Sequence, residues 1–188
     1  MAACSGIGQA LNAGRQGLFF ALWPDAGPRA AMSAVAGRMH GVLQGRRTRD
    51  DSIHLTLAFV GAVTADALTS LLAPPAGLFT APFELTLDRW GCWPRNDVGW
   101  LASSQPPQAL RDLAANLDSW LRRSGFEMES RVFCPHVTLI RKASCAPLPD
   151  GIAPISWPVN ELALIHSRPA AGGSRYGVLR AWPLTGCA

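Results

Sequence analysis

Lysine is almost missing from this chain: Lys142 stands alone against sixteen arginines. Arginine offers a planar fork of donors suited to phosphate, although abundant Ala, Gly and Pro make a composition bias an equal explanation. The net charge of +4 and pI of about 9.1 are a mild basic bias, compatible with a polyanionic partner and no more. Cysteine is sparse and odd in number: Cys4, Cys92, Cys134, Cys145 and Cys187 contain no C-x-x-C pair. That scatter argues against a disulfide framework, and a reducing compartment is expected. No apolar run approaches the length needed to span a bilayer. The first sixteen residues lack the apolar core of a signal peptide. Residues 1–16 are expected to be a mobile extension and residues 17–188 a single unit, since no linker divides the chain. A cytoplasmic protein is expected.

What is present is a globular pattern, with 48% of residues hydrophobic. "GLFFALW" (17–23) reads as a buried strand. After Pro24, Met32, Val35, Met39, Val42 and Leu43 recur at helical spacing, and Gly45 is a stop. "RRTRDD" is a charged loop, and 53–60 a strand. Thr64 can cap a short helix. "FELTLDRWGCW" alternates as one strand and pairs back with "VGWLAS". Leu110, Leu113, Leu117, Trp120 and Leu121 form the clearest helical stripe, closed by Gly125. "RVFCPHVTLIRK", "ISWPVNELALIHSR" and "SRYGVLRAWPL" read as strands. Mixed hairpins and helices imply an α+β fold with mainly antiparallel sheets.

Two strands repeat a feature. "HLTL" at 54–57 and "HVTL" at 136–139 each carry a His and a Thr two residues apart. Side chains alternate along a strand, so each pair shares one face while the leucines anchor the other. With eight Thr in 188 residues, a given His has about one chance in 25 of this spacing, yet two of four have it. A lone copy would read as an ordinary core histidine; a matched pair suggests two lobes meeting across a site.

Histidine titrates near neutral pH and serves as base or acid. Two of them, one neutral and one charged, can straddle a reacting centre. Thr56 and Thr138 can donate to its oxygens, which suits attack at phosphorus, because fixed donors are usually the largest catalytic contribution. Arg141 could add charge, but lies an odd number of residues after His136. A bulge, a twist or its position at the strand end must bring it round. Metal binding competes weakly. Two His with two Thr and no neighbouring carboxylate are a poor donor set, although Cys134 shares the parity of His136. A nucleophilic Cys134 would leave the first motif unexplained.

The paired motifs, 82 positions apart, resemble those of the 2H phosphoesterase superfamily, and within it the RNA 2′,3′-cyclic phosphodiesterases, historically called 2′-5′ RNA ligases. The resemblance extends to "LFFAL", "RVFCPHVTLIRKAS" and "SRYGVLRAWPLT". It implies a bilobal fold with pseudo-two-fold symmetry, two mainly antiparallel sheets with helices outside, and an active-site cleft between lobes. It implies metal-independent hydrolysis of a 2′,3′-cyclic phosphate on RNA to a 2′-phosphomonoester, with no cofactor; no membrane and a monomer are expected. By the resemblance His54 is the proton donor and His136 the acceptor; the internal symmetry leaves that assignment open on the residues alone. Thr56, Thr138 and Arg141 would bind the phosphate. The alternatives are 2′-5′ joining of RNA ends and a non-catalytic RNA- or nucleotide-binding module. The segment "RRTRDDSIH" departs from the aromatic and prolines that relatives often carry there.

Smaller features take plainer readings. Arg46, Arg47 and Arg49 can touch RNA phosphates or form a solvated loop. Phe19, Phe20 and Phe59 read as core rather than as base-stacking surfaces. Tyr176 matches a position in the family but has no evident role. His40 and His166 read as ordinary helix and strand residues, and the tryptophans as packing.

Overall fold

Leu18–Leu22 is apolar at every position, and it forms strand β1 (Gly17–Leu22), buried along almost its whole length. The structure, a computed structural model, describes residues 17–130, 132–170 and 173–185. The expected extension at residues 1–16 lies outside the described residues. Helix α1 (Ala26–Leu43) follows and buries Met32, Val35, Ala36, Met39 and Leu43 on one stripe. The chain turns at Gln44 and Gly45, with φ of 53° and 77°. A Cβ on Gly45 would sit 2.5 Å from the Lys142 carbonyl oxygen and 2.7 Å from that of Arg141, so only glycine permits this approach. The turn lays the two-residue strand β2 (Arg46–Arg47) along β7 (Val137–Arg141).

The first motif runs into β3 (Leu55–Gly61). The short helix α2 (Ala65–Leu71) begins as expected, with the Ala67 N–H donating to the Thr64 hydroxyl at 3.3 Å. Helix α3 (Gln108–Arg123) turns Leu110, Leu113, Leu117, Trp120 and Leu121 inward. It stops at Gly125, where φ is 86° and the Phe126 N–H donates back to the Leu121 carbonyl at 3.0 Å.

Two stretches that read as single strands are each two strands. "FELTLDRWGCW" splits into β4 (Phe83–Leu87) and β5 (Arg89–Trp93), and β5 forms the expected hairpin with β6 (Val98–Ala102). "ISWPVNELALIHSR" splits into β8 (Ile155–Val159) and the start of β9 (Glu161–Ala170), which pairs with β10 (Gly173–Pro183). The chain changes sheet at Asp88 and Asn160. The Asp88 carboxylate accepts from the Ser104 N–H at 2.7 Å, and the Asn160 carbonyl accepts from Leu184 at 2.8 Å. At each joint two polar residues stand in succession, Asp88–Arg89 and Asn160–Glu161, and the alternation loses its phase there. The second motif strand is also shorter than its alternation suggests, starting only at Val137.

All strand pairs are antiparallel. One large sheet runs β10-β9-β1-β3-β7-β6-β5 with β2 beside β7, and β4 pairs with β8 in a small second sheet. This matches the expected α+β class. The large sheet has two halves, joined where β3 meets β7 by a single residue pair, Leu55 and Val137. The helices cross over: α1, from the first half of the chain, packs on β7, and α3, from the second, packs on β3.

The cysteine reading needs a correction. Cys92 on β5 and Cys145 after β7 are joined by a disulfide, with Cα atoms 5.5 Å apart. They lie 53 residues apart in sequence, and only the return of the chain past β6 brings them together. Cys134 is free and exposed. No helix among the described residues is long and apolar enough to cross a membrane.

Candidate active site

Leu55 and Val137, the only pair joining β3 to β7, are fully buried. Their neighbours on either side point the other way, into the fork where the two strands part. Antiparallel direction sets His54 toward Thr138 and Thr56 toward His136. All four line one cleft of about 870 Å³ together with Arg141.

Arg141 gets there by a bulge. Opposite β6, Trp100 pairs with Thr138 and Gly99 with Ile140, so Leu139 is an extra residue. The bulge reverses the parity of the strand: Leu139 and Ile140 are both buried, and Arg141 turns to the cleft. β3 does the same. Ala21 pairs with Thr56 and Phe20 with Ala58, leaving Leu57 extra. Leu57 and Ala58 turn inward, and Phe59 turns to the cleft. Phe59, Phe19 and Phe20 all read as core in sequence; Phe19 and Phe20 are, but Phe59 is 54% exposed. The bulge is the physical reason, and no residue-type pattern announces it.

Each histidine is held the same way. His54 Nδ1 lies 2.7 Å from the Ser52 carbonyl, and His136 Nδ1 lies 2.8 Å from the Cys134 carbonyl. A carbonyl only accepts, so Nδ1 carries the proton in both rings. Nε2 is then the nitrogen left for chemistry on the cleft side.

The two rings differ in setting. His54 is stacked on Trp23, with centroids 5.1 Å apart and planes 4° apart, and meets Tyr176 edge-on at 5.1 Å. Phe19 packs tilted against it, also at 5.1 Å. Burial among these rings pushes its pKa down to about 4, helped by the charges of Arg141 and His136 and opposed by the Ser52 carbonyl. His136 meets Trp93 in a T-shaped contact at 4.6 Å. Trp23, Trp93 and Tyr176 therefore frame the histidines; composition alone marked them only as packing, or gave them no role.

The cleft has two unlike ends. At the His54–Thr138 end it is lined by Arg46, Arg47, Arg49 and Arg141. Arg49 is tied to Asp51 by two hydrogen bonds of 3.0 Å, and Arg47 donates to the Ser33 carbonyl. Arg46 and Arg141 reach the main cleft. At the Thr56–His136 end a side chamber of about 180 Å³ opens past Phe59 and Trp93, with Met128 and Phe133 in its wall. His40, bonded to the Gly45 carbonyl at 3.2 Å, and His166, on β9, line neither end.

A family model described as the 2′-5′ RNA ligase superfamily matches residues 28–170, a span containing both motifs. Two curated proteins named RNA 2′,3′-cyclic phosphodiesterase are similar. The one from Escherichia coli is 42% identical over 142 residues, 75% of this chain and 81% of its own. The one from Thermus thermophilus is 28% identical over 179 residues, 90% of each chain. The crystal structure of E. coli LigT complexed with 3′-AMP superposes with a TM-score of 0.82 at 39% identity, covering 92% of this chain and 99% of that one. A paired-histidine cleft, the match of sequence across most of the chain and the match of fold agree: the chain belongs to the 2′-5′ RNA ligase superfamily.

Proposed function

We propose that this protein hydrolyses 2′,3′-cyclic phosphate ends of RNA to 2′-phosphomonoesters by metal-independent acid–base catalysis. The observation that carries the reading is the doubled arrangement in one cleft: two histidines, each anchored through Nδ1, each set toward the other motif's threonine, with one arginine alongside. The similar proteins from E. coli and T. thermophilus bear the name of this activity.

Water attacks phosphorus and passes its proton to His136 Nε2. The bond from phosphorus to O3′ breaks, and His54 Nε2–H gives its proton to the departing oxygen. One water is consumed and the two histidines exchange charge states, to be reset by solvent. Thr56, Thr138 and Arg141 hold the non-bridging oxygens, where charge builds as the fifth bond forms. Burial keeps His54 neutral in the free protein near pH 7, so its proton is acquired with the substrate anion, whose charge favours imidazolium.

The test is turnover of a nucleoside 2′,3′-cyclic phosphate in excess chelator, with the product identified as 2′- or 3′-phosphate. His54→Ala and His136→Ala should each lower kcat by about 10²–10⁴. Full activity in either variant, or loss of activity to the chelator, overturns the mechanism. A diester with a nitrophenolate leaving group assigns the roles, because such a group departs without an acid. His54→Ala should retain a far larger share of activity on it than His136→Ala does.

A further inference from the structure

Three arginines precede the first motif, and strand register separates their roles. Arg46 lies directly opposite Arg141 across β2 and β7, and Arg47 lies opposite Ile140. Residues directly opposite share a face of the sheet. Arg141 faces the cleft, so Arg46 faces it too, and both line it. Ile140 is fully buried, and Arg47 accordingly turns toward α1, where it donates to the Ser33 carbonyl at 3.1 Å. Arg49 is paired with Asp51 at 2.9 Å. Arg46 is thus the arginine of this segment that the register aims at the site.

Two like charges set directly opposite each other repel. The cleft does not offset them: among the described residues that line it and its arginine-rich end there is no Asp or Glu. Both residues of β2 are exposed, yet the fold secures this strand through the Gly45 turn, where only glycine fits. Gly173, at the start of β10, makes room from the other side. A Cβ there would sit 2.8 Å from Arg46 Nη1. A strand of two exposed residues, held this closely, serves to place the Arg46 guanidinium beside Arg141.

We propose that Arg46 forms a second phosphate subsite, which takes the phosphodiester joining the terminal nucleotide to the rest of the RNA. This rests on the phosphodiesterase reading, in which Arg141 already serves the phosphate between the histidines. A second cation beside it calls for a second anion. RNA supplies one a single ribose away, on the 5′ oxygen of the terminal nucleotide. The cleft offers the chain two ways out. The Thr56–His136 end is largely apolar, with the carboxylates of Asp118 and Glu129 in its wall, a poor surface for phosphates. The other end carries Arg46, whose planar fork suits a phosphodiester's two free oxygens. A phosphate there also relieves the repulsion between Arg46 and Arg141. The site then favours RNA ends over free cyclic nucleotides, without reading sequence, because the contact is to the backbone.

The experiment compares three probes at low salt: uridine 2′,3′-cyclic phosphate, the dinucleotide UpU ending in a 2′,3′-cyclic phosphate, and the same dinucleotide with a neutral methylphosphonate at its internal link. The native protein should show a KM about tenfold lower for the charged dinucleotide than for the mononucleotide. The neutral dinucleotide should resemble the mononucleotide, and added salt should narrow the gap. In Arg46→Ala the ratio of the two KM values should collapse to within about twofold. Arg46→Gln, which keeps length without charge, should resemble Ala. If the native protein has equal KM for mononucleotide and charged dinucleotide, if the neutral dinucleotide matches the charged one, or if Arg46→Ala or Arg46→Gln keeps the full ratio, the subsite is wrong and the phosphodiesterase reading stands. If the native protein turns over none of the three, that reading falls and the subsite with it.

Discussion

His54 lies face to face with Trp23 and has Tyr176 at its edge, so its charged form has little water around it. Its depressed pKa of about 4 has a kinetic consequence. On the proposed mechanism both histidines titrate whichever one gives the proton, so kcat/KM should rise through a lower inflection near pH 4 and not near the ordinary 6.5. Trp23→Ala hydrates the ring, and the inflection should move up toward 6.5. A pH–rate series with NMR titration of the imidazole checks this; a lower native inflection at 6.5, with His54 itself titrating there, contradicts burial as the cause. The residues of both motifs were legible because the sequence states them twice. Phe59 was not, since its orientation depends on backbone parity rather than residue type. Trp23, Trp93 and Tyr176 act through proximity across strands, which a linear pattern does not carry.

At the level of elements, the bulges at Leu57 and Leu139 and the turn at Gly45 set the geometry of the cleft. Gly45 presses against the carbonyls of Arg141 and Lys142 at a φ of 77°, which holds β2 against β7 and Arg46 beside Arg141. Gly45→Ala strains the turn and pushes these backbones apart. It should destabilise the protein by about 1–3 kcal/mol, read as a lower denaturant midpoint with an unchanged slope. An unchanged midpoint means the approach is looser than described. The two long helices were legible through their apolar stripes and their glycine stops, and the short α2 through its Thr64 cap. The joints at Asp88 and Asn160 were not, because two successive polar residues, Asp88–Arg89 and Asn160–Glu161, mark a bulge within one strand as well as a passage between sheets.

Over the whole molecule, the disulfide ties β5, whose Trp93 meets His136, to the loop after Arg141. Cys92→Ser should lower the stability of the oxidised protein by about 2–4 kcal/mol and leave it unchanged when both proteins are reduced. Equal stability under oxidising conditions would show that the bond does not form in solution. No sequence spacing pointed to this pair, whereas the larger plan of two motif-bearing halves was legible from the repeat. The crossed helices add one more thing. Each half of the sheet is roofed by a helix that the chain spells out in the other half. A fragment ending between α2 and β4 would hold one motif strand and the helix that packs on the other. The two motif histidines share one cleft only when both parts of the chain are present.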